Sequence, residues 1–527
     1  MKIRLINTAK LFRETFPPLG LALLNGYLKQ NNAESEIFDL DIVVKHGNSK
    51  KNNEPIDIKY IKNKLYELPS YLTEEKKEEY LEEQVYKIIN LMNIKDNELL
   101  GFQVVKHELV FVLYIAKKIR ENFNNKIILG GRPISRLTDE TLENYIRNFN
   151  IDYIEYFVKG DAYFFFQLIL KNEISVDTKK TLIFKEKHAG DRYRTTDNIY
   201  PQYNRQHLEL YKISPQKLGY FFRNIRPEVK EKLSQIEGGK RPLVVPTLFQ
   251  QGCFQNCAYC GFDKRVFKKS VDETLETLDF LNKKYRVKDF YFLNTNLAFD
   301  KNFVSRLTER LKEYDIKWGD TSNLSSLTPE VIKKFSNSGC IELYSGTVTG
   351  SEKLHHYINR RPGENPFEHY KKIYKTIDKN GIWLVTDIMS GLPYETDQDI
   401  KDSIRFLQQN KDYINGIYHA RFFLMPDSPF GKYPEKYGLK IYNPNIGTDS
   451  VKNFRDAEIV NYNCYSFSEK TGLAREKKEE QMKKSGDYFD KAIDKLFPRR
   501  VNLWYPIFLM YNNFESKKDI LQFLNSR

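Results

Sequence analysis

The chain has 527 residues, 40% of them hydrophobic, and a formal charge of +14; it is too long for one ordinary core and apolar enough to fill more than one globular unit. No run approaches the roughly 18–20 uninterrupted apolar residues that span a bilayer, and the start MKIRLINTAK lacks the basic, apolar, small-residue order of a secretion signal, so a soluble cytoplasmic protein is expected. Five cysteines, three of them between 253 and 260, exclude a disulfide framework, and lysines interleaved with glutamates, as in EEKKEEYLEEQ and REKKEEQMKK, read as solvated helix faces rather than a phosphate-binding stripe.

In chain order, KIRLIN (2–7) reads as a strand, and Pro17 and Pro18 stand ahead of a helix in which Leu19, Leu23 and Tyr27, with Leu24 and Leu28 beside them, repeat at helical spacing. SEIFDLDI (35–42) reads as the next strand, and 43–97 as a charged, mostly helical insertion without recognisable chemistry. LLGFQVV (99–105), the helix LVFVLYIAKKIREN (109–122), KIILGG (126–131) and IDYIEYFVKG (151–160) continue the alternation. It predicts an α/β fold over 1–170, a flavodoxin- or Rossmann-like parallel sheet covered by helices. A basic, poorly patterned linker spans 171–240. A second alternation follows, with strands at LVVPTLF (243–249), DFYFLN (289–294), IKWGD (316–320), CIELYSG (340–346), IWLVTDIMSG (382–391) and GIYHARFFLMP (416–426) and helices between them. This predicts a partial β/α barrel over 241–435. Residues 436–527 read as a helical C-terminal region with Trp504 in an aromatic-rich end.

The segment VVPTLFQQGCFQNCAYCGF sets Cys253, Cys257 and Cys260 directly after the first barrel strand, at the end where barrel enzymes keep their active sites. Three closely spaced thiolates can ligate three irons of a [4Fe–4S] cubane and leave the fourth open. The rival is a structural zinc site, which wants a fourth Cys or His at short range; the nearest histidines are His207 and His355. Cys340 and Cys464 read as buried, inert thiols. Asn294 and Asn296 at the end of the second barrel strand, Asp320 at the third and Asp387 in the fifth are polar groups where such barrels face their ligands.

This loop and its setting resemble the radical S-adenosylmethionine superfamily. The resemblance implies that the three cysteines bind the cluster, that S-adenosylmethionine chelates the open iron, and that Tyr259, at the aromatic position before the last cysteine, contacts the adenine. MSGLPYET (389–396) is similar to the family's GlPgEt segment, with Gly391 and Pro393 shaping the turn and Glu395 beginning the next helix, and LMPDSPF (424–430) is similar to its PGTP-like turn. In YSGTVTGSEKL (344–354) Gly346 matches a glycine–aliphatic–Glu–Ser run, but Thr347, Val348 and Thr349 follow it and the glutamate is missing. Tyr259, Gly346, Gly391 and Asn294 are the cofactor-binding candidates of the barrel.

The preceding sheet resembles that of the cobalamin-binding members of the superfamily. PPLGLALLNGYL (17–28), ILGGRP (128–133) and VKGDAY (158–163) are similar to the family's PPLGL, GG and GEGE-like segments, which implies cobalamin contacts at Gly130, Gly131 and Gly160; the DxHxxG motif of other cobalamin proteins is absent. The resemblance implies a methyltransferase acting on an unactivated carbon of a natural product or peptide, by a 5′-deoxyadenosyl radical and methylcobalamin, with an external flavodoxin- or ferredoxin-type electron donor. A non-methylating radical reaction, with or without cobalamin, and an RNA-modifying or RNA-binding role are the alternatives, although no RNA-binding module is recognisable.

Overall fold

The computed structural model describes residues 1–9, 16–46, 56–64, 68–73, 76–105, 108–137, 139–160, 162–178, 180–185, 198–212, 226–236, 239–262, 264, 266–360, 366–442 and 465–526. They fall into two compact units, Met1–Tyr211 and Lys212 onward. In the first, strands β1 (Ile3–Asn7), β2 (Ser35–Asp39), β3 (Leu99–Gln103), β4 (Lys126–Gly130), β5 (Tyr156–Lys159) and β6 (Leu182–Lys185) form one sheet in the order β2-β1-β3-β4-β5-β6. Every pairing is parallel. All of β1 is buried, as a central strand covered on both faces must be. The order reverses between β1 and β3, the flavodoxin-type switch point, outside whose carboxyl ends ligands bind.

The helix Leu19–Gln30 starts on Pro18 and buries Leu19, Leu24, Tyr27 and Leu28. Leu109–Asn122 is a helix as expected, and the insertion joins the same core, with Leu81, Val85 and Ile88 clustered with Phe111 and Ile115. Three readings change. The strand begun at Ser35 ends at Asp39, and the β-branched run beyond it is the helix Leu40–His46. Of IDYIEYFVKG only Tyr156–Lys159 is strand. The expected linker supplies β6 and then docks on this unit: Gln202 N donates to Ala22 O at 2.8 Å, Asn25 Nδ2 donates to Gln202 O at 2.8 Å, and a side chain on Gly26 would meet the Tyr200 carbonyl.

The second unit opens with β7 (Val244–Thr247). A short antiparallel pair, β8 (Gln250–Gln251) and β9 (Phe267–Lys268), brackets the cysteine loop. Then come β10 (Asp289–Phe292), β11 (Lys317–Thr321), β12 (Cys340–Tyr344), β13 (Trp383–Ser390) and β14 (Gly416–Arg421), parallel in the order β14-β13-β12-β11-β10-β7. Helices connect successive strands, so the six-stranded partial barrel stands where the alternation put it. On the helix side Trp318 packs against Phe292 and Phe335. Tyr291, one residue from Phe292 and so on the opposite face, stacks on Trp504 with ring centroids 3.7 Å apart.

Trp504 begins a helix, Trp504–Asn513, whose Ile507, Phe508 and Met510 form one core with Val244, Tyr291, Trp383 and Val385. The C-terminal region is thus part of the barrel unit and fills the inner face of its sheet. β15 (Leu439–Tyr442) and β16 (Ser466–Glu469) pair antiparallel, and the long helix Arg475–Leu496 follows. That helix corrects the reading of REKKEEQMKK as solvated throughout, because Lys478 is 0% exposed and pairs with Glu469 at 2.8 Å. Among the described residues no helix is long and apolar enough to cross a membrane.

Candidate functional site

The cysteine loop leaves β7 through Phe249 and Gln250, whose backbone N–H groups both donate to Asn294 Oδ1, at 3.3 and 2.9 Å. Asn294 in turn donates to Asp320 Oδ2 at 2.9 Å, so this carboxamide aims the loop, and Asp320 anchors the carboxamide. Burial pushes the Asp320 carboxyl well above the usual carboxylate range, opposed by the donors from Asn294 and Thr321. Asn296 is spent likewise, accepting from Asn323 N at 3.0 Å and donating to Ser326 Oγ at 2.9 Å. Gln255, between the first two cysteines, donates to Ser325 Oγ at 2.7 Å and accepts from Asn323 Nδ2 at 2.6 Å. Ala258 N donates to Ile358 O at 2.8 Å, and Phe430 N donates to Ala258 O at 2.9 Å. The loop is therefore held from four directions before any ligand enters.

Cys257 is buried, and Cys253 and Cys260 are half-buried. Burial pushes the Cys257 thiol above its ordinary pKa; the Arg360 guanidinium opposes this, and negative charge on Cys260 and Cys253 adds to it, so all three thiols lie within reach of one another's charge. Among the described residues no three His, Cys, Asp or Glu side chains gather about a single-ion position. Thiolates that each take a different iron of a cubane have no need to.

Tyr259 is half-buried, and its hydroxyl accepts from Arg360 Nη1 at 2.6 Å, while Arg360 Nη2 donates to Gly346 O. Arg360 thus joins the cysteine loop to the turn after β12. It is 6% exposed, and among the described residues its Nε has no hydrogen-bond partner. A buried cation hydrogen-bonded to neutral oxygens calls for anions nearby; the Asp387 carboxylate is one, and a cluster on three thiolates would be another. The residues present fit that group.

At the turn after β12, a Cβ on Gly346 would lie 2.8 Å from the Asp387 carboxylate. Asp387 accepts from Tyr344 Oη at 2.7 Å and from Val348 N at 3.1 Å. Thr347 and Thr349 turn inward, to Thr386 at 2.8 Å and Ser403 at 3.2 Å. The turn's carboxylate therefore comes from the neighbouring strand. Val348 has φ of 69°, a strained conformation for a β-branched residue.

MSGLPYET forms the turn after β13. Gly391 has φ of 83°, its N–H donates to Glu395 Oε2 at 2.8 Å, and a Cβ there would meet Met482 at 2.9 Å. Glu395 does not begin the next helix; Thr396 caps it, with Asp399 completing a capping box. The helix Arg475–Leu496 clamps the turn, Lys478 Nζ donating to Leu392 O at 2.7 Å and Gln481 Nε2 to Glu395 O at 2.6 Å. In LMPDSPF, Asp427 lies so close to Gly261 that a side chain there would overlap it.

In the first unit, Gly130, Gly131 and Gly160 lie at the carboxyl ends of β4 and β5. A Cβ on Gly130 would stand in ordinary contact with Val158, at 3.7 Å from its carbonyl oxygen, so no internal crowding requires glycine there. Gly131 (φ 122°) has an internal reason to be glycine, because a Cβ would lie 2.3 Å from Val104 O. Gly160 has φ of 94° and donates to Ser135 Oγ at 3.1 Å. His207 belongs to this unit, accepting at Nδ1 from Asp39 N at 3.1 Å, whereas His355 pairs with Tyr370 at 2.9 Å. Cys340 is buried, its Sγ 3.4 Å from Glu342 O, and Cys464 lies outside the described residues. Sequence reasoning missed Arg360, Gln255 and Lys478. An Arg-Arg pair soon after a GT-rich turn was the one available sign of the first, and no spacing marks the others.

Residues 247–407 match the Radical SAM superfamily. An uncharacterized methyltransferase of Pyrococcus horikoshii is 27% identical over 165 residues, 30% of this chain and 35% of that protein. The ribosomal protein uS12 methylthiotransferase RimO of Thermosipho melanesiensis is 26% identical over 207 residues, 36% of this chain and 47% of that protein. The matches thus span less than half of these curated relatives. Among solved structures, the radical S-adenosylmethionine methyltransferase TsrM of Kitasatospora setae, with cobalamin and a [4Fe–4S] cluster bound, superposes with a TM-score of 0.56 at 14% identity, covering 92% of this chain and 91% of that one. The cobalamin-dependent S-adenosylmethionine radical enzyme OxsB superposes with 0.54 at 14% identity, covering 99% and 78%. The chain has the fold of these enzymes.

Proposed function

We propose that this chain, whose residues 247–407 form a radical SAM domain, is a cobalamin-dependent methyltransferase that methylates an unactivated carbon of a natural product or peptide. The observation that carries the reading is the pairing in one chain of a flavodoxin-type sheet with a partial barrel headed by Cys253, Cys257 and Cys260. The likeness to TsrM and OxsB over nearly the whole chain supports it.

The three cysteines would hold the cluster, Tyr259, Gly346 and Gly391 would border S-adenosylmethionine, and Gly130, Gly131 and Gly160 would border cobalamin. When bound, these groups supply the deoxyadenosyl radical and the methyl group. The chain's own residues position and shield. Asn294 and Gln255 fix the loop, Asp387 presents a carboxylate at the turn after β12 in place of the missing glutamate, and the helix Arg475–Leu496 holds the turn of Gly391 shut on one side. Substrate would be selected by residues beyond these.

The test is anaerobic reconstitution of the full chain with iron and sulfide, then reduction in the presence of S-adenosylmethionine. Cluster absorbance and cleavage to 5′-deoxyadenosine are expected, and both vanish in C253A, C257A and C260A. Methylation yields S-adenosylhomocysteine together with 5′-deoxyadenosine; 5′-deoxyadenosine alone, with an altered but unmethylated substrate, would favour the non-methylating reaction. Wild-type protein without a cluster spectrum would sink the whole reading.

A further inference from the structure

We propose that Arg360 is the counter-charge of the cluster, a buried guanidinium that favours its one-electron-reduced state and so sets the potential at which the site accepts an electron. This rests on the cluster reading above and adds a residue that no cysteine motif identifies. Burying a charge costs several kcal/mol unless anions lie near it; Arg360 is 6% exposed, its hydrogen bonds are to a phenol oxygen and a backbone carbonyl, and the Asp387 carboxylate of the neighbouring strand offsets only part of its charge before a cluster is bound. Among the described residues its Nε has no hydrogen-bond partner. Its Nη1 donates at 2.6 Å to the hydroxyl of Tyr259, the residue directly before Cys260, which holds the guanidinium on the cysteine loop. Both terminal nitrogens are already committed, to Tyr259 and Gly346, so the guanidinium is fixed in place rather than free to follow a ligand.

A [4Fe–4S] core on three thiolates is anionic in both oxidation states and gains one further negative charge on reduction. A cation fixed beside it in low dielectric stabilises the reduced state more than the oxidised one. The step is simple: one electron passes from a low-potential donor to the cluster, and no bond forms or breaks. Arginine suits it because its charge does not depend on pH.

The experiment is a redox titration of reconstituted full-length protein with dithionite and mediators, followed by electron paramagnetic resonance, without S-adenosylmethionine. Wild type, R360K and R360M are compared at equal iron content. R360M should be reduced at least tenfold less favourably, a midpoint at least about 59 mV more negative, and R360K should stay within threefold of wild type. R360M within threefold of wild type would overturn the proposal, even if its affinity for S-adenosylmethionine fell, because Arg360 would then serve the ligand and not the cluster. Where R360M does not fold, R360Q carries the same comparison. If folded R360M lost iron while R360K kept it, the counter-charge would be upheld; if both lost it alike, Arg360 would be a clamp only and the proposal would fail. Wild type without a cluster would instead refute the function proposed above.

Discussion

Two carboxyls at the mouth of the barrel show how much surroundings decide. Glu395 is 4% exposed, and burial pushes its pKa up to about 7, with the Gly391 N–H opposing. A carboxyl whose folded pKa lies above its unfolded value of 4.5 favours folding in its neutral form. That contribution is complete below about pH 4.5 and is lost as pH rises through about 7, on the order of 3 kcal/mol in all. E395Q keeps an acceptor for Gly391 but cannot ionise, so its stability relative to wild type should rise across that window; denaturant midpoints at several pH values measure it, and parallel curves would refute it. Asp387 accepts from Tyr344 and Val348 and lies close against Gly346. D387N should leave iron content unchanged and weaken S-adenosylmethionine binding at least tenfold in equilibrium dialysis. Unchanged binding would show that the turn needs no carboxylate.

At the scale of elements, the helix Arg475–Leu496 acts on the site through Lys478 and Gln481, and the buried lysine also ties it to the ribbon of β15 and β16. Lys478 pairs with Glu469, which also accepts from Tyr394 N at 2.7 Å, so helix, ribbon and turn share one ion pair. K478M would leave Glu469 buried and uncompensated, at a cost of about 3–5 kcal/mol. K478M/E469Q should recover part of that loss in urea unfolding, and a double variant no better than the single would deny the coupling. The sequence hid this pair because Lys478 sits in a run of charges whose neighbours are solvated. The barrel strands were legible because each is a short apolar run between helices. β6 was not, being a half-exposed edge strand in a basic stretch, and LDIVVKH misled because its β-branched residues favour strands while their neighbours make a helix. The helix Trp504–Asn513 is apolar all round, a sign of burial that does not say against what.

For the whole molecule, the cysteine spacing and the order of strands were legible because metal chemistry and parallel pairing constrain residues close in sequence. Arg360 and Asp387 were harder to place, since their roles arise where separate strands and turns converge. The function proposed above gives each cofactor its own unit. A ligand that binds only native protein stabilises it by about 2.7 kcal/mol at a hundred times its Kd, and local amide exchange reports where. In reconstituted full-length protein, S-adenosylmethionine should slow exchange in 253–262, 344–349 and 389–396 and leave the first unit's strand ends unchanged. Hydroxocobalamin should slow exchange in 128–133 and 156–160, the carboxyl ends of β4 and β5. All three tryptophans, Trp318, Trp383 and Trp504, belong to the second unit, so thermal unfolding followed by their fluorescence should shift with S-adenosylmethionine. Cobalamin that left amides 128–133 unprotected would remove the first unit from the chemistry, and the barrel would then have to be read as a radical enzyme that works without it.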